Sequence, residues 1–150
     1  MLFELLHLDI KSFDIDSYQK FKYVITFLND FTSYVWTVRL CTKAAALTTT
    51  QDFLQLVKVQ HNAAVKGWMS DAGGEYKSDA FDKMLCECSI RIFQSTPHTP
   101  MQNGHAEQLM CTLMDKVETM RLDSCLSDSL WDFVFTHVTH LYNWAPMQCL

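Results

Sequence analysis

The segment FKYVITFLNDFTSYVWTVRL, residues 21–40, decides the fold expected for this chain. Its first half, Phe21–Phe31, is rich in β-branched and aromatic residues and predicts a strand that ends at Asn29 and Asp30. Tyr34–Leu40 has the same character and predicts another strand after a short turn. Because a short connection favours antiparallel neighbours, the segment predicts an antiparallel pair of strands within a β-sheet.

On both sides of this segment the pattern predicts further strands and then helices. Leu5–Ile10 is a short apolar run, broken by Asp9, and predicts the first strand. After residue 42, helical and strand-like apolar patterns alternate: the predicted helices are 43–62, 78–88, a long helix that includes residues 106–120, and 128–144, and the predicted strands are 64–69 and 90–93. Pro97 and Pro100 predict a loop that runs to Asn103-Gly104. The order β-β-β-α-β-α-β-α-α implies an α/β fold with a mixed sheet.

Composition sets the broad class. The 150 residues suit a single globular domain, 1–150, and no stretch is apolar enough to span a bilayer. The first residues carry no basic targeting segment. Six cysteines without any CxxC pair favour free, partly buried thiols in a reducing compartment. We therefore expect an intracellular protein, nuclear or cytoplasmic.

Three acidic residues lie at positions where metal-binding or catalytic side chains are expected. Asp9 interrupts an apolar strand, where a carboxylate is costly unless it is paired or binds a metal. Asp71 ends the fourth predicted strand, and Glu107 lies near the start of the long helix. If the first and fourth strands are neighbours, both Asp lie at one edge of the sheet, where sites gather in open sheets. Hard oxygen ligands of this kind suit Mg²⁺ or Mn²⁺, although most of the 17 acids are expected to be solvated.

The surroundings of these acids resemble a family. SDAGGEY at 70–76 and TPMQNGHAEQ at 99–108 resemble the two signature motifs of copia-type retrotransposon integrases, within the retroviral integrase superfamily. The 35 residues between Asp71 and Glu107 match the spacing typical of that Asp-Asp-Glu family. The sequence is also similar to the family at HLDI (7–10), FLNDFTSYVW (27–36), LW (130–131) and YNWAP (142–146). The resemblance extends from about residue 7 to residue 146.

The resemblance implies a ribonuclease-H-like fold, with a mixed five-stranded sheet flanked by helices. It implies metal-dependent cleavage of DNA ends, followed by attack of a 3′-hydroxyl on target DNA. Asp9, Asp71 and Glu107 are then the catalytic residues and the metal ligands of a two-metal site that forms with DNA. The implied partners are element ends and target DNA, and a homo-oligomer is a further expectation. The family's zinc-binding and C-terminal DNA-binding regions are expected to lie outside residues 1–150.

The chain departs from the family pattern mainly at basic positions. Ser33, Gln108, Cys111 and Trp144 stand where Arg is usual, which is four units of charge against a net charge of −5. Further departures are Asn29, Ala72, Met101, Met110 and the run Lys11-Ser12-Phe13. Because duplex DNA is bound largely through Lys and Arg, these losses predict weak DNA binding. They leave open an alternative function, a catalytically inactive ribonuclease-H-like domain that acts as a nucleic-acid-binding or dimerisation module. Ribonuclease H itself is disfavoured by the position of the third acid.

Some other residues have simpler interpretations. His137 and His140 are expected as a helix-surface pair, since a metal site would need further ligands. His98 and His105 lie in the predicted active-site loop, where contact with DNA is one alternative to an ordinary polar loop. The remaining aromatic and methionine residues are expected to pack in the core: Trp36, Phe53, Trp131, Phe133, Met110, Met114 and Met120.

Overall fold

The computed structural model describes residues 3–70, 79–94 and 100–145, apart from the side chains of residues 94, 100–103 and 105. The strands are β1 Leu5–Ser12, β2 Tyr23–Asn29, β3 Val35–Leu40, β4 Gly67–Ser70 and β5 Arg91–Gln94. The helices are α1 Ala45–His61, α2 Asp79–Glu87, α3 Pro100–Asp123 and α4 Trp131–Trp144, with a 3-10 turn at Asp128–Leu130 leading into α4. The predicted order of strands and helices is confirmed.

The five strands form one mixed sheet in the order β3-β2-β1-β4-β5. β2 is antiparallel to both β1 and β3, whereas β4 runs parallel to β1 and β5 runs parallel to β4. The central strand is therefore β1, the strand that carries Asp9. The predicted pairing of the first and fourth strands is confirmed.

Each face of the sheet is covered by a pair of helices. Side chains alternate between the faces along a strand, so Leu6 and Leu8 of β1 point to one face while His7 and Asp9 point to the other. The core between the sheet and α1 and α2 includes Leu6, Leu8, Ile25, Phe27, Phe53, Val57, Trp68, Phe81 and Leu85. The core on the opposite face, the α3–α4 face, includes Val24, Leu28, Val35, Leu109, Leu113, Val117, Trp131 and Phe135.

Gly67 begins β4 where the backbone leaves no room for a side chain. A Cβ atom there would lie 2.8 Å from the carbonyl oxygen of Glu4 and 2.8 Å from the ring of Phe93. Glycine therefore allows β1 and the side chain of Phe93 to approach β4 closely. This approach helps to set the register in which Leu8 of β1 pairs with Ser70, the last residue of β4.

The structure corrects three expectations. The predicted loop to Asn103-Gly104 is wrong, because α3 already begins at Pro100. Proline is favoured at the first helical position, where its missing N–H would have no partner within the helix. The thiols are not partly buried: each of the five described cysteines is exposed. Phe133 is 45% exposed rather than in the core.

Candidate active site

Asp9 lies in the middle of β1, just beyond the part of the strand that pairs with β4, on the α3–α4 face. Its side chain is half-buried, and its partner across the antiparallel pair is Thr26 of β2. Directly opposed residues of antiparallel strands point to the same side of the sheet. Asp9 and Thr26 are therefore neighbours on the face that α3 and α4 cover.

The register of the parallel pairing between β1 and β4 indicates where Asp71, the second predicted acid, follows β4. Leu8, which precedes Asp9, pairs with Ser70, which precedes Asp71. Asp71 itself lies outside the described residues, as do Ala72 and the Gly73-Gly74 pair. The convergence of Asp9 and Asp71 stays a prediction.

Glu107 lies in the first half of α3, with its side chain exposed. The neighbouring residues Ala106 and Met110 are buried in the core of the α3–α4 face, and α3 contacts both β1 and α4. This packing places Glu107 on the same side of the sheet as Asp9. Both carboxylates make interactions within the structure, so neither is an isolated surface charge.

Within residues 3–70, 79–94 and 100–145, no group of three or more His, Cys, Asp and Glu side chains is placed to hold a metal ion. The predicted set includes Asp71 and so cannot be completed from those residues. The two described members supply carboxylate oxygens from one face of the sheet, and carboxylate oxygens are the donors that Mg²⁺ and Mn²⁺ prefer. The chemistry of this donor set fits a divalent hard cation.

His7 stands two residues before Asp9 on the same face of β1. Only 2% of its surface is exposed, and its Nε2 lies 2.9 Å from Oδ1 of Asp30, the residue that follows β2. The backbone N–H of Asp30 donates to the carbonyl of Leu5 at 3.1 Å. These two contacts hold the end of β2 against β1 close to the candidate site.

The helix that carries Glu107 is acidic. Between Pro100 and Asp123 it has four acids, Glu107, Asp115, Glu118 and Asp123, against two bases, Lys116 and Arg121. Arg121 is held by Glu118 at 2.7 Å and also by Asp128, and its hydrogen bond lowers the pKa of Glu118. Lys116 lies 5.7 Å from the ring centre of Tyr142. This helix presents little positive charge to a phosphate backbone.

The four positions at which the resembled family usually has Arg differ in their surroundings. Gln108, Cys111 and Trp144 are exposed, and Cys111 lies one helical turn after Glu107, on the same side of α3. Ser33 lies in the β2–β3 turn with a φ of 55°. Basic side chains could therefore be restored at 108 and 111 without disturbing the core.

Residues of the C-terminal motifs have structural roles. The side chain of Asn143 pairs with the edge strand β3, accepting from the N–H of Val35 at 2.9 Å and donating to its carbonyl at 2.7 Å. Trp131 donates from Nε1 to the carbonyl of Ile15 at 2.8 Å, and its ring stacks on Phe13 at 3.7 Å. These contacts fix α4 on the sheet and secure the β1–β2 connection.

The other sequence expectations have mixed outcomes. His137 and His140 are exposed on α4, which confirms a helix-surface pair. Phe53, Trp131 and Met110 are buried, and Trp36, Met114 and Met120 pack against the two cores as expected. His98, Cys149 and the side chains of Met101 and His105 lie outside the described residues. The structure also contains no helix, among the residues it describes, that is long and apolar enough to cross a membrane.

Comparison with known proteins assigns the family. Residues 3–100 match the family model described as "Integrase core domain". The chain belongs to the integrase core domain family. The match ends before Glu107, so the third acid depends on the motif resemblance and on its position in α3.

Plant retrotransposon proteins are among the relatives of this integrase core domain. It is 32% identical over 133 residues to the Retrovirus-related Pol polyprotein from transposon TNT 1-94 of Nicotiana tabacum, covering 89% of this chain and 10% of that protein. The Pol polyproteins from transposons RE2 and RE1 of Arabidopsis thaliana are 27% and 26% identical over 147 residues, covering 98% of this chain and 10% of each protein. The chain therefore spans about a tenth of the length of these relatives.

The fold is also found in a solved assembly. A chain of the cryo-EM structure of the simian T-cell lymphotropic virus intasome in complex with PP2A regulatory subunit B56 gamma matches with a TM-score of 0.75 at 15% identity. The match covers 98% of this chain and 50% of that chain. The expected integrase fold, a mixed five-stranded sheet with flanking helices, is confirmed.

Sequence reasoning gave no role to two neighbours of Asp9. Thr26 is a polar residue inside the apolar strand YVITFLN, and this interruption of the apolar pattern is the signal that could have singled it out. Lys11 was recognised only as a departure from the family pattern. It follows Asp9 by two residues on the same face of β1 and is exposed.

Proposed function

We propose that this integrase core domain acts in metal-dependent DNA strand transfer as the core of a copia-type retrotransposon integrase. The observation that carries the proposal is the position of Asp9 on β1, directly after the residue that pairs with the last residue of β4 and on the face that holds the helix of Glu107. Asp71 follows β4 directly in the sequence. We infer that Asp9, Asp71 and Glu107 together form the catalytic and metal-binding site.

The proposed site would hold Mg²⁺ or Mn²⁺ through the carboxylates of Asp9, Asp71 and Glu107. Two such ions, when bound, activate an attacking oxygen and stabilise the leaving oxygen of an in-line phosphoryl displacement. The protein holds Asp9 on the rigid central strand and Glu107 on a helix packed against it. Because substrate phosphates normally complete the shell of Mg²⁺, metal binding should be weak without DNA and tighter with it.

The negative charge of the domain should weaken its binding to DNA and so reduce the proposed activity. The net charge is −5, α3 is acidic, and its Arg121 is paired with acids. Since affinity for duplex DNA comes largely from Lys and Arg, the isolated chain should bind DNA poorly. The competing proposal is an inactive module that binds nucleic acid or dimerises, which the same loss of arginines favours.

The proposed partners are DNA, in the form of element ends and target DNA, and a second copy of the chain. The exposed face of α4 carries the apolar side chains of Phe133, Leu141 and Trp144, which supports self-association. The proposed compartment is intracellular, either the nucleus or the cytoplasm. We treat residues 1–150 as one core domain of a longer polyprotein.

A strand-joining assay tests the proposed function. The substrate is a short duplex with free 3′-hydroxyl ends, and the target is a plasmid, with Mn²⁺ as the metal. We expect trace joining by the parent chain, an increase in the Gln108→Arg, Cys111→Arg double variant, and none when Asp9→Asn is added to it. Loss of the carboxylate should reduce joining by at least ~100-fold, because the metal clamp contributes several kcal/mol to the transition state.

Two outcomes of this assay would contradict the proposal. Joining that is unchanged by Asp9→Asn would show that the activity comes from elsewhere, such as a contaminating enzyme that joins DNA. A double variant that binds DNA tightly and takes up Mn²⁺ but forms no product would favour the inactive module. Circular dichroism spectra of all variants control for loss of the fold.

A further inference from the structure

We propose that Thr26 is a positioning residue, whose hydroxyl turns to donate a hydrogen bond to the Asp9 carboxylate when the metal binds and so orients that carboxylate toward the metal. This inference rests on the proposed function, since it assigns a role to Thr26 within the same site. It arises from a buried hydroxyl that has no partner among the described residues, next to the acid on the central strand.

Thr26 is placed for this role by the sheet. It lies in the middle of β2, directly opposite Asp9 on β1 and directly opposite Thr37 on β3. Directly opposed residues have Cβ atoms about 4.5–5.5 Å apart and point to the same face. The hydroxyl of Thr26 therefore has two neighbouring acceptors across the sheet, the Asp9 carboxylate and the Thr37 hydroxyl, and it is hydrogen-bonded to neither of them in the structure.

The burial of Thr26 requires an explanation. The residue is only 4% exposed, and its Oγ1 finds no hydrogen-bond partner in the part of the chain that the structure describes. Leaving a buried hydroxyl without a partner costs about 1–3 kcal/mol. A valine would have the same shape without that cost, so a threonine here indicates a function for the hydroxyl beyond packing.

The hydroxyls on the other side of Thr26 point away from it. Thr37 donates to Oγ1 of Thr139 at 3.4 Å, and Thr139 donates to the carbonyl of Phe135 at 2.9 Å. Thr37 can therefore offer Thr26 only a neutral acceptor. A hydrogen bond to a carboxylate is roughly twice as strong as one between neutral groups, so the Asp9 carboxylate is the favoured acceptor.

A donor behind a metal-binding carboxylate fixes which oxygen lone pairs face the ion. Loss of such an outer partner typically costs about 10–100-fold in metal affinity or activity. The hydroxyl of Thr26 would hold one side of the Asp9 carboxylate against the sheet. The rest of the carboxylate would then be free to bind the metal, in concert with the other two acids.

Mn²⁺ titration and thermal unfolding of the metal-free protein test this role together. We expect Thr26→Val to weaken Mn²⁺ binding by about 10-fold without lowering the melting temperature, because a methyl group fills the space of the hydroxyl. Thr26→Ser, which keeps the hydroxyl, should bind Mn²⁺ within about threefold of the parent. Thr37→Val is the matched control, since it removes the adjacent hydroxyl on the side away from Asp9, and it should leave Mn²⁺ binding unchanged.

Asp9→Asn separates a failure of this inference from a failure of the proposed function. If Asp9→Asn abolishes Mn²⁺ binding but Thr26→Val binds like the parent, the positioning role is wrong and the proposed site stands. If Asp9→Asn binds like the parent, the proposed function itself is wrong. Should Thr26→Val fail to fold, Thr26→Ala decides in its place: it must weaken Mn²⁺ binding while Thr37→Val does not.

Discussion

The double variant Gln108→Arg, Cys111→Arg should bind duplex DNA more tightly than the parent. The gain in affinity should be about tenfold larger at 50 mM salt than at 200 mM salt, because two added phosphate contacts steepen the slope of log affinity against log salt concentration by about 1.8. Both positions are exposed on α3 next to Glu107, so new guanidinium groups would face any DNA at the site. The measurement is a fluorescence-anisotropy titration of a labelled duplex at both salt concentrations.

A variant with the same change in net charge shows whether position matters. Gln51→Arg with Gln55→Arg adds two arginines to exposed positions of α1, on the opposite face of the sheet. This variant should gain much less affinity than the α3 pair. An equal gain would mean that DNA does not bind at α3, and submicromolar binding by the parent in physiological salt would overturn the electrostatic argument altogether.

Leu113→Ala should lower the free energy of unfolding by about 2–5 kcal/mol, the usual cost of such a truncation in a core. Leu113 is fully buried in the core that seats α3 on the sheet. The melting temperature should fall by about 2–4 °C for each kcal/mol lost. Urea denaturation, followed by circular dichroism, gives the free energy directly.

The same helix provides the control for this prediction. Leu122 is 60% exposed near the end of α3, and Leu122→Ala should change the stability by no more than about 0.5 kcal/mol. Equal losses for the two leucines would contradict the packing of α3 that places Glu107 on the same face as Asp9.

Much of this fold could be predicted because local patterns agree with the tertiary structure. The β-branched and aromatic runs of β2 and β3 and the apolar stripe of α3 each follow one periodicity, so their type could be read directly. Boundaries were harder to predict. The sequence pattern predicts a loop at Pro100, although proline also suits the first turn of a helix, and neighbouring residues alone do not distinguish the two.

The candidate site was predictable only in part, since it combines residues that are distant in sequence. Asp9 stood out as an acid in an apolar strand, and Glu107 stood out by its motif. Thr26 interrupts an apolar strand, but its relation to Asp9 could not be predicted from the sequence because it depends on the register between β1 and β2. The exposure of Phe133 was missed for a similar reason, since burial depends on which face of α4 meets the sheet.

Mn²⁺ titration of the parent chain and of single acid variants, in the presence of a short duplex, tests the three-carboxylate site most directly. We expect weak, saturable binding by the parent and its loss in Asp9→Asn, Asp71→Asn and Glu107→Gln, because each variant removes one charged oxygen ligand. Asp52→Asn, on the exposed side of α1, should bind like the parent. If Asp71→Asn or Glu107→Gln binds Mn²⁺ as tightly as the parent, the metal lies elsewhere and the assignment of this site is wrong.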